Sequence, residues 1–261
     1  MSATLAPTET LAEQYARNGF CFVPDLLPRE LIERVIPHMD AVIDGHYETG
    51  VPAKVYCNGD DPRRIRKIDM THLSDRTIYE LVTHPAIGKL AAAVTGAKMV
   101  QLWASQLLFK PPGGVAKGNV GWHQDKQYWK YWQGEGVFTI WIAISDVKEE
   151  SGPMKYVRGS HRLGLAEVGD FFDPDMEKAK AAYEKHYSMP WDEVSAILPP
   201  GGVAMHHCYT IHGSGPNVSN LPRRSFALHL RNENSTPVPG NTDYFVSHLD
   251  DRAYSPVIYS E

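Results

Sequence analysis

The residues with the clearest chemical potential are two histidines and an aspartate. His123 and Asp125 stand two positions apart, and an extended strand would place both side chains on one face. His212 is the candidate third ligand, with His206 and His207 as rivals a few residues earlier. Two imidazoles and one carboxylate on one face of an octahedral ion form the facial triad of non-haem iron(II) oxygenases, which leaves positions open for other ligands. The pattern therefore predicts an iron(II) site.

The elements that must position these residues change in type near residue 99. Before it, apolar residues recur mainly at helical spacing, with a short strand expected at Phe20–Val23. We predict helices that begin near Leu11 and Pro28, and two more over 76–83 and 86–95. After it, runs rich in β-branched and aromatic residues alternate with Gly and Pro clusters. Strands are expected at 99–110, 121–125, 137–147, 153–158, 202–207 and 223–231.

Many short strands of this kind predict a mainly β fold with flanking α-helices, built on a double-stranded β-helix, or cupin-like jelly roll. A chain of 261 residues fits one such domain. We expect a single oxygenase domain over 1–261, with a mainly helical flank (1–98) and a jelly-roll core (99–231). The polar stretch 163–198 interrupts the core as an insertion, and 232–261 forms a C-terminal extension.

Composition narrows the partners and the compartment. A formal charge of −5 and a pI near 6.2 give no general attraction to nucleic acid or anionic lipid. The three cysteines lack CxxC spacing, which argues against disulfides and cysteine-bound zinc. The chain shows neither a signal peptide nor an apolar run of about 18 residues. A cytoplasmic protein without a nucleic-acid or membrane partner is expected, and the pattern specifies no oligomeric state.

Several short motifs recur in a fixed order through the second half of the chain. A strand ends in Lys-Pro-Pro-Gly, and Trp-His-Gln-Asp, Trp-Ile-Ala-Ile-Ser-Asp-Val, Gly-Ser-His-Arg and His-Gly-Ser-Gly-Pro-Asn follow, with an arginine beyond. This order resembles the phytanoyl-CoA dioxygenase family of iron and 2-oxoglutarate oxygenases. The resemblance runs from about residue 10 to about residue 231 and is strongest over 106–227. It implies Fe(II), 2-oxoglutarate and O2, and hydroxylation of an unactivated C–H bond with release of succinate and CO2.

The resemblance also assigns roles to the histidines. It implies that His123, Asp125 and His212 are the iron ligands, because the Ile-His-Gly-Ser-Gly-Pro-Asn context favours His212 over its neighbours. His206 is then expected to lie off the metal-binding face, and His207 to form part of the pocket wall. Asp125 argues against halogenation, since related halogenases lack this carboxylate.

By the same resemblance, Arg223 forms the salt bridge to the distal carboxylate of 2-oxoglutarate. A guanidinium matches a carboxylate with two parallel hydrogen bonds. Arg224 is the rival, and alternation along the strand separates the two. Arg224 shares a face with Phe226 and further apolar residues, which indicates packing, whereas Arg223 shares a polar face with Ser225.

Other positions match residues that line the cosubstrate or substrate site. Lys67, Gln106 and Trp141 correspond to cosubstrate-lining positions, with an exposed lysine, a solvent-facing glutamine and a core tryptophan as the alternatives. Aromatic residues follow the His-x-Asp segment at the place where a substrate would approach the metal, although they could equally form a packed cluster. The expected substrate pocket consists of Tyr128, Trp129, Trp132 and His207.

Two other functions fit the same metal ligands. One is a different metal-dependent barrel enzyme, such as a zinc hydrolase or an isomerase, and Arg223 and Trp141 speak against it. The other is a non-catalytic jelly-roll module that binds a metal or ligand, since intact motifs do not establish turnover.

Overall fold

The computed structural model describes residues 9–57, 64–114, 118–166, 168–171, 173, 175–187 and 190–261. The α-helices are α1 (Leu11–Asn18), α2 (Arg29–Ile43), α3 (Arg76–Val82), α4 (Pro85–Thr95), α5 (Met176–His186) and α6 (Tyr244–Ser247). The strands are β1 (Phe20–Val23), β2 (Val55–Cys57), β3 (Arg66–Asp69), β4 (Met99–Lys110), β5 (Val120–His123), β6 (Trp132–Gln133), β7 (Val137–Ala143), β8 (Lys155–Val157), β9 (Glu193–Ser195), β10 (Val203–His207), β11 (His212–Ser214), β12 (Arg223–Asn232), β13 (Thr236–Pro237) and β14 (Val257–Ser260).

Two antiparallel sheets face each other. The larger has the strand order β1-β10-β7-β12-β4-β3-β2, with β14 also paired to β4, and the smaller has the order β5-β11-β8-β9. A separate pair joins β6 and β13. Neighbours in space are mostly distant in sequence, as in a jelly roll. The expected fold class, a jelly-roll core with flanking helices, is confirmed.

Alternation along the central strands produces two apolar layers. On β7, Ile140 and Ile142 face outward and pack with Val35 of α2 and Leu81 of α3. The intervening Trp141 faces the smaller sheet. Helices therefore cover the outer face of the larger sheet, and a second apolar cluster lies between the sheets.

Helix α1 shows how local sequence sets an element boundary. The Thr10 hydroxyl accepts from the Glu13 amide, and the Glu13 carboxylate accepts from the Thr10 amide, which completes a capping box. The helix ends at Asn18 and is capped by Gly19, whose φ of 85° is unfavourable for a residue with a Cβ atom. Strand β1 begins at the next residue and joins the larger sheet.

The helical flank contains two strands that the sequence pattern did not indicate. Strands β2 and β3 extend the larger sheet beyond β4. The charged sequence Arg-Lys-Ile-Asp of β3 hides its strand character, because only Ile68 packs into the apolar layer beneath the helices. The expectation of a mainly helical 1–98 is therefore incomplete. Cys57, one of the three cysteines, has a side chain outside the described part of the structure, whereas Cys21 and Cys208 are free and buried.

Other boundaries also differ from expectation. Strand β5 stops at His123, not at residue 125, and β7 stops at Ala143. The insertion 163–198 includes α5 and also β9, which pairs with β8 at the edge of the smaller sheet. Among the described residues, none of the helices is both long enough and apolar enough to cross a membrane.

Candidate metal and cosubstrate site

Three donor groups meet at the ends of two adjacent strands. His123 is the last residue of β5, His212 is the first residue of β11, and the two pair directly in the register. Asp125 begins a 3-10 turn after β5, and the intervening Gln124 has an extended backbone with φ −115° and ψ 135°. Extended geometry at that one residue suffices to place His123 and Asp125 on the same side. One ligand atom from each of the three lies within 4.8 Å of the others.

Backbone carbonyls fix the tautomers of the two histidines. Nδ1 of His123 lies 2.8 Å from the Gly121 carbonyl oxygen, and Nδ1 of His212 lies 2.9 Å from that of Thr210. A carbonyl only accepts, so each Nδ1 carries the proton and each neutral ring keeps its Nε2 lone pair for a metal. Burial lowers the pKa of both histidines. Both rings are therefore held as metal ligands require.

Hydrogen bonds leave one oxygen of Asp125 available. Its Oδ2 accepts from the Thr139 hydroxyl at 2.7 Å and from Nε2 of His206 at 3.2 Å. Its Oδ1 faces Nε2 of His212 at 3.6 Å and Nε2 of His123 at 3.9 Å. Burial alone would raise the pKa of Asp125, but His212 and His206 outweigh it, and the pKa lies well below its usual value. A charged carboxylate with one free oxygen completes the donor set for a divalent cation.

The hydrogen-bond chain continues to His229 on β12. Nδ1 of His229 lies 2.9 Å from the Thr139 hydroxyl oxygen. Because the Thr139 proton is committed to Asp125, His229 donates to Thr139. Burial lowers the pKa of His229 to about 4, so this ring is neutral at physiological pH.

The position of His206 differs from the sequence expectation. It lies on the metal-binding side, with its ring centroid 4.3 Å from that of His212, and it donates to Asp125. Its neighbours Val203 and Met205 belong to the apolar layer under the helices, so alternation turns His206 inward and His207 outward. This apolar alternation could have indicated the orientation from sequence.

The three donors open into a cavity of about 190 Å³ between the sheets. Both sheets and the insertion contribute to its wall. The lining residues are Lys67, Gln106, Leu108, Val120, His123, Asp125, Tyr128, Trp129, Thr139, Trp141, Met154, Phe171, His206, His212, Ser214, Arg223, Ala227 and His229.

Arg223 lies at this cavity and is only 1% exposed. None of its three guanidinium nitrogens has a hydrogen-bond partner among the described residues. The guanidinium lies 5.5 Å from the ring centre of Trp141, and burial lowers its pKa. A buried cation left unsatisfied by the protein is costly, so the site suits an anionic group of a ligand. Trp141 Nε1 and Ser225 Oγ also lack partners among the described residues.

Arg224 points to the opposite face, as the alternation predicts. It forms a bidentate contact with Asp40 of α2, with nitrogen to oxygen distances of 2.8 and 2.9 Å. This arginine therefore links the larger sheet to the helical layer and lies away from the cavity.

The remaining cosubstrate candidates, Lys67, Gln106 and Trp141, all line the cavity. Lys67 projects from β3, and its ammonium lies 3.3 Å from a carboxylate oxygen of Asp69. Gln106 is paired with Asp69 across β3 and β4. The structure thus brings together these three positions, which the sequence resemblance had grouped.

The four expected substrate-pocket residues separate into two pairs. Tyr128 and Trp129 line the cavity, whereas Trp132 and His207 lie outside it. Trp132 packs beside Trp103, with ring centroids 5.7 Å apart. His207 lines a different cavity on the outer side of β10. The expectation for Trp132 and His207 is therefore corrected, because one belongs to an aromatic core cluster and the other points outward.

Phe171 of the insertion is a cavity residue that the sequence did not indicate. Its ring centroid lies 5.2 Å from that of His123. Its carbonyl accepts from the Gly121 amide at 2.9 Å, and its amide donates to the Tyr128 hydroxyl at 2.8 Å. The Tyr128 hydroxyl in turn donates to Asp170. Contacts between distant segments place Phe171 here, and no local motif marks it.

The chain is similar to known proteins over most of its length. A family model described as phytanoyl-CoA dioxygenase (PhyH) matches residues 15–225. A probable alpha-ketoglutarate-dependent hypophosphite dioxygenase of Stutzerimonas stutzeri is 26% identical over 243 residues, which are 88% of this chain and 81% of that protein. An L-proline trans-4-hydroxylase of Streptomyces griseoviridis is 25% identical over 97% of this chain and 96% of its own.

A solved structure shows the same fold. The epimerase SnoN in complex with Fe³⁺, alpha ketoglutarate and nogalamycin RO superposes with a TM-score of 0.69 at 22% identity. The match covers 90% of this chain and 87% of that chain.

Proposed function

Because the chain belongs to the phytanoyl-CoA dioxygenase family, we propose that it is an iron(II) and 2-oxoglutarate-dependent oxygenase that hydroxylates a C–H bond of a small molecule. One observation carries the proposal. The same cavity holds a three-donor metal set and a buried guanidinium that no described residue satisfies. A metal chelator with a distal carboxylate, such as 2-oxoglutarate, matches both ends.

In this proposal His123, Asp125 and His212 hold iron(II), and Arg223 binds the distal carboxylate. Trp141, Gln106 and Lys67 line the cosubstrate part of the cavity. Iron(II) bound together with 2-oxoglutarate would supply the chemistry, in which O2 oxidises both the substrate and 2-oxoglutarate and the latter becomes succinate and CO2. The protein orients these groups and limits side reactions.

Particular residues serve orientation and exclusion of water. Thr139 and His206 hold one oxygen of Asp125, so that the other oxygen faces Nε2 of His123 and His212, where it could bind a metal. Tyr128 and Phe171 line the cavity beside His123, Trp129 lines it beside His229, and the three rings form the aromatic wall that a substrate would meet. A largely apolar wall with few polar groups is typical of small-molecule sites.

The names of relatives support a small-molecule substrate, since they refer to hypophosphite, ectoine and L-proline. We also infer a cytoplasmic location, a single domain over 1–261, and no nucleic-acid or membrane partner. The free buried Cys21 and Cys208 support the cytoplasmic location, the chain length fits one domain, and the net charge of −5 argues against nucleic-acid and anionic-membrane partners.

The alternatives place different demands on Arg223. A hydrolase or isomerase that uses the metal as a Lewis acid does not require a buried guanidinium beside it, and a binding module does not require O2 chemistry. The orphaned Arg223 favours the oxygenase.

The test is aerobic incubation with iron(II), 2-oxoglutarate and a metabolite library, with succinate as the readout. We expect a substrate in the library to stimulate succinate release. The Asp125→Ala variant should lose both this succinate release and its affinity for iron(II). The matched control is His207→Ala, which removes a histidine outside the cavity. Absence of 2-oxoglutarate binding by the iron-loaded wild type would refute the proposal.

A further inference from the structure

A second buried cation lies beside Arg223. Lys110 is the last residue of β4 and pairs directly with Arg223 in the register of β4 and β12. Its side chain is fully buried, with 0% exposure. No carboxylate among the described residues forms an ion pair with either side chain. A buried charge without a countercharge is unfavourable, and two adjacent positive charges are more so.

Three oxygen acceptors surround the Lys110 amine. Its Nζ donates to the Ser214 hydroxyl at 2.6 Å, to the Ser214 carbonyl at 3.1 Å and to the Gly215 carbonyl. Three acceptors match the three N–H groups of an ammonium ion, which has no acceptor capacity of its own. Burial and the nearby Arg223 both lower the pKa of Lys110. An anion bound in the cavity would offset both effects.

The ammonium fixes the polarity of the Ser214 hydroxyl. Because Lys110 can only donate, Ser214 Oγ acts as the acceptor in that contact, and the hydroxyl proton is directed elsewhere. Ser214 lines the same cavity as Arg223. Its hydroxyl is therefore free to donate to a ligand there.

We propose that Lys110 is a positioning residue for the cosubstrate: it holds Ser214 as a hydrogen-bond donor toward the distal carboxylate and supplies a second positive charge behind Arg223. The protein thereby selects a 2-oxo acid with a second carboxylate. This inference rests on the proposed function, because it assumes that 2-oxoglutarate occupies the cavity.

A purely structural lysine is the competing explanation. The turn between β11 and β12 already has its own support, since the Asn217 side-chain amide donates to the Lys110 and Leu221 carbonyls. If Lys110 only supported this turn, replacing it would change the affinity for every ligand alike. The proposed role affects only ligands with a distal carboxylate.

The test compares two 2-oxo acids on the full-length, iron-loaded protein without oxygen. Dissociation constants are measured by calorimetry for 2-oxoglutarate and for 2-oxopentanoate, which has the same chain length and a methyl group in place of the distal carboxylate. For Lys110→Met, we expect the 2-oxoglutarate affinity to fall by more than about tenfold, equivalent to about 1.4 kcal/mol. The affinity for 2-oxopentanoate should stay within about threefold of the wild-type value, a smaller change than the tenfold loss expected for 2-oxoglutarate.

Two further variants address folding and the link to Ser214. Lys110→Gln keeps a donor without the charge and should lose less affinity than Lys110→Met. Ser214→Ala should also lose affinity only for 2-oxoglutarate, and adding it to Lys110→Met should cause less loss than the separate effects combined. Lys155→Met is the matched control, since Lys155 lies on the neighbouring β8 and pairs with Glu193.

The outcomes separate this inference from the proposed function. If wild type does not bind 2-oxoglutarate, the proposed function fails. If wild type binds 2-oxoglutarate, the role of Lys110 fails in two cases: the lysine and serine variants lower the affinity for both 2-oxo acids equally, or they lower it for neither. If Lys110→Met does not fold, the same comparison with Lys110→Gln and Ser214→Ala decides.

Discussion

Each of the three candidate metal ligands has two atoms that could bind a metal, and hydrogen bonds within the protein engage one atom of each pair. Asp125 has two carboxylate oxygens, and the protein uses Thr139 and His206 to satisfy one of them. His123 and His212 each have two ring nitrogens, and a carbonyl satisfies one in each ring. The free atoms are the ones that converge. Residues that are not ligands therefore determine how the ligands are presented.

His206 provides the first prediction. His206→Ala removes a donor to Asp125, and loss of such a supporting contact typically lowers metal affinity about 10 to 100-fold. His206→Gln, whose side-chain amide can donate to the same oxygen, should recover most of the affinity. Iron(II) titration under nitrogen measures both. Unchanged affinity in His206→Ala would show that Thr139 alone orients the carboxylate.

Arg223 provides the second prediction. If Arg223 binds the distal carboxylate of 2-oxoglutarate, as we propose, Arg223→Leu leaves that carboxylate without its countercharge, which costs roughly 2 to 5 kcal/mol. The 2-oxoglutarate affinity should therefore fall by more than about tenfold, while iron(II) still binds. Calorimetric titration measures the loss.

The control for Arg223 is its neighbour. Arg224→Leu should leave 2-oxoglutarate affinity unchanged, because Arg224 contacts Asp40 on the opposite side of the sheet. Its loss affects stability instead, through the contact between β12 and α2. Impaired cosubstrate binding in Arg224→Leu with normal binding in Arg223→Leu would reverse the assignment.

At the scale of elements, the insertion covers the strand that carries His123. Gly121 of β5 has two backbone carbonyls close to where a Cβ would be: an added Cβ would meet the oxygen of Asp170 at 2.2 Å and that of Asp173 at 2.5 Å. The approach brings the Phe171 ring against His123. Glycine at position 121 thus allows one wall of the cavity to form.

Gly121→Ala is the third prediction. The methyl group would push the segment around Asp170 away from β5 and move Phe171, at a cost of about 1 to 3 kcal/mol typical of overpacking. We expect a lower unfolding midpoint and more succinate released without substrate oxidation. Gly118→Ala is the control, because among the described residues, its chain neighbours aside, no atom lies within 4 Å of its added Cβ. Equal behaviour of the two variants would contradict the proposed contact.

At the scale of the whole molecule, the cavity lies between the two sheets and is lined by residues of both. The metal ligands lie at or next to strands of the smaller sheet, whereas Arg223 and Trp141 belong to the larger one. A bound cosubstrate that contacts both ends would hold the sheets together. Ligand binding should then stabilise the fold.

Thermal unfolding gives the fourth prediction. Iron(II) and 2-oxoglutarate together should raise the midpoint above that with iron alone, and each ligand at 100 times its Kd contributes about 2.7 kcal/mol. Arg223→Leu should keep the increase caused by iron and lose most of the increase caused by 2-oxoglutarate. Calorimetry without oxygen measures both. An equal 2-oxoglutarate increment in both proteins would place the cosubstrate away from Arg223.

Features that depend on local residue order and strand alternation could be predicted from the sequence alone. The spacing of His123 and Asp125 required only one extended residue between them. Alternation distinguished Arg223 from Arg224, because apolar neighbours identify the face that packs on the helices. The same rule, applied to Val203 and Met205, would have assigned His206 to the interior and His207 to the outside, contrary to what the sequence resemblance led us to expect.

The distant segments that complete the cavity are brought together by long-range packing, which local sequence patterns do not show. Lys67 reaches it because β3 pairs with β4 despite a charged sequence with little strand character. Phe171 reaches it through contacts of the insertion with Gly121 and Tyr128. Lys110 lies beside Arg223, a cavity residue, because β4 and β12 pair at this level. Such long-range contacts depend on the summed packing of the whole chain, so no short segment encodes them.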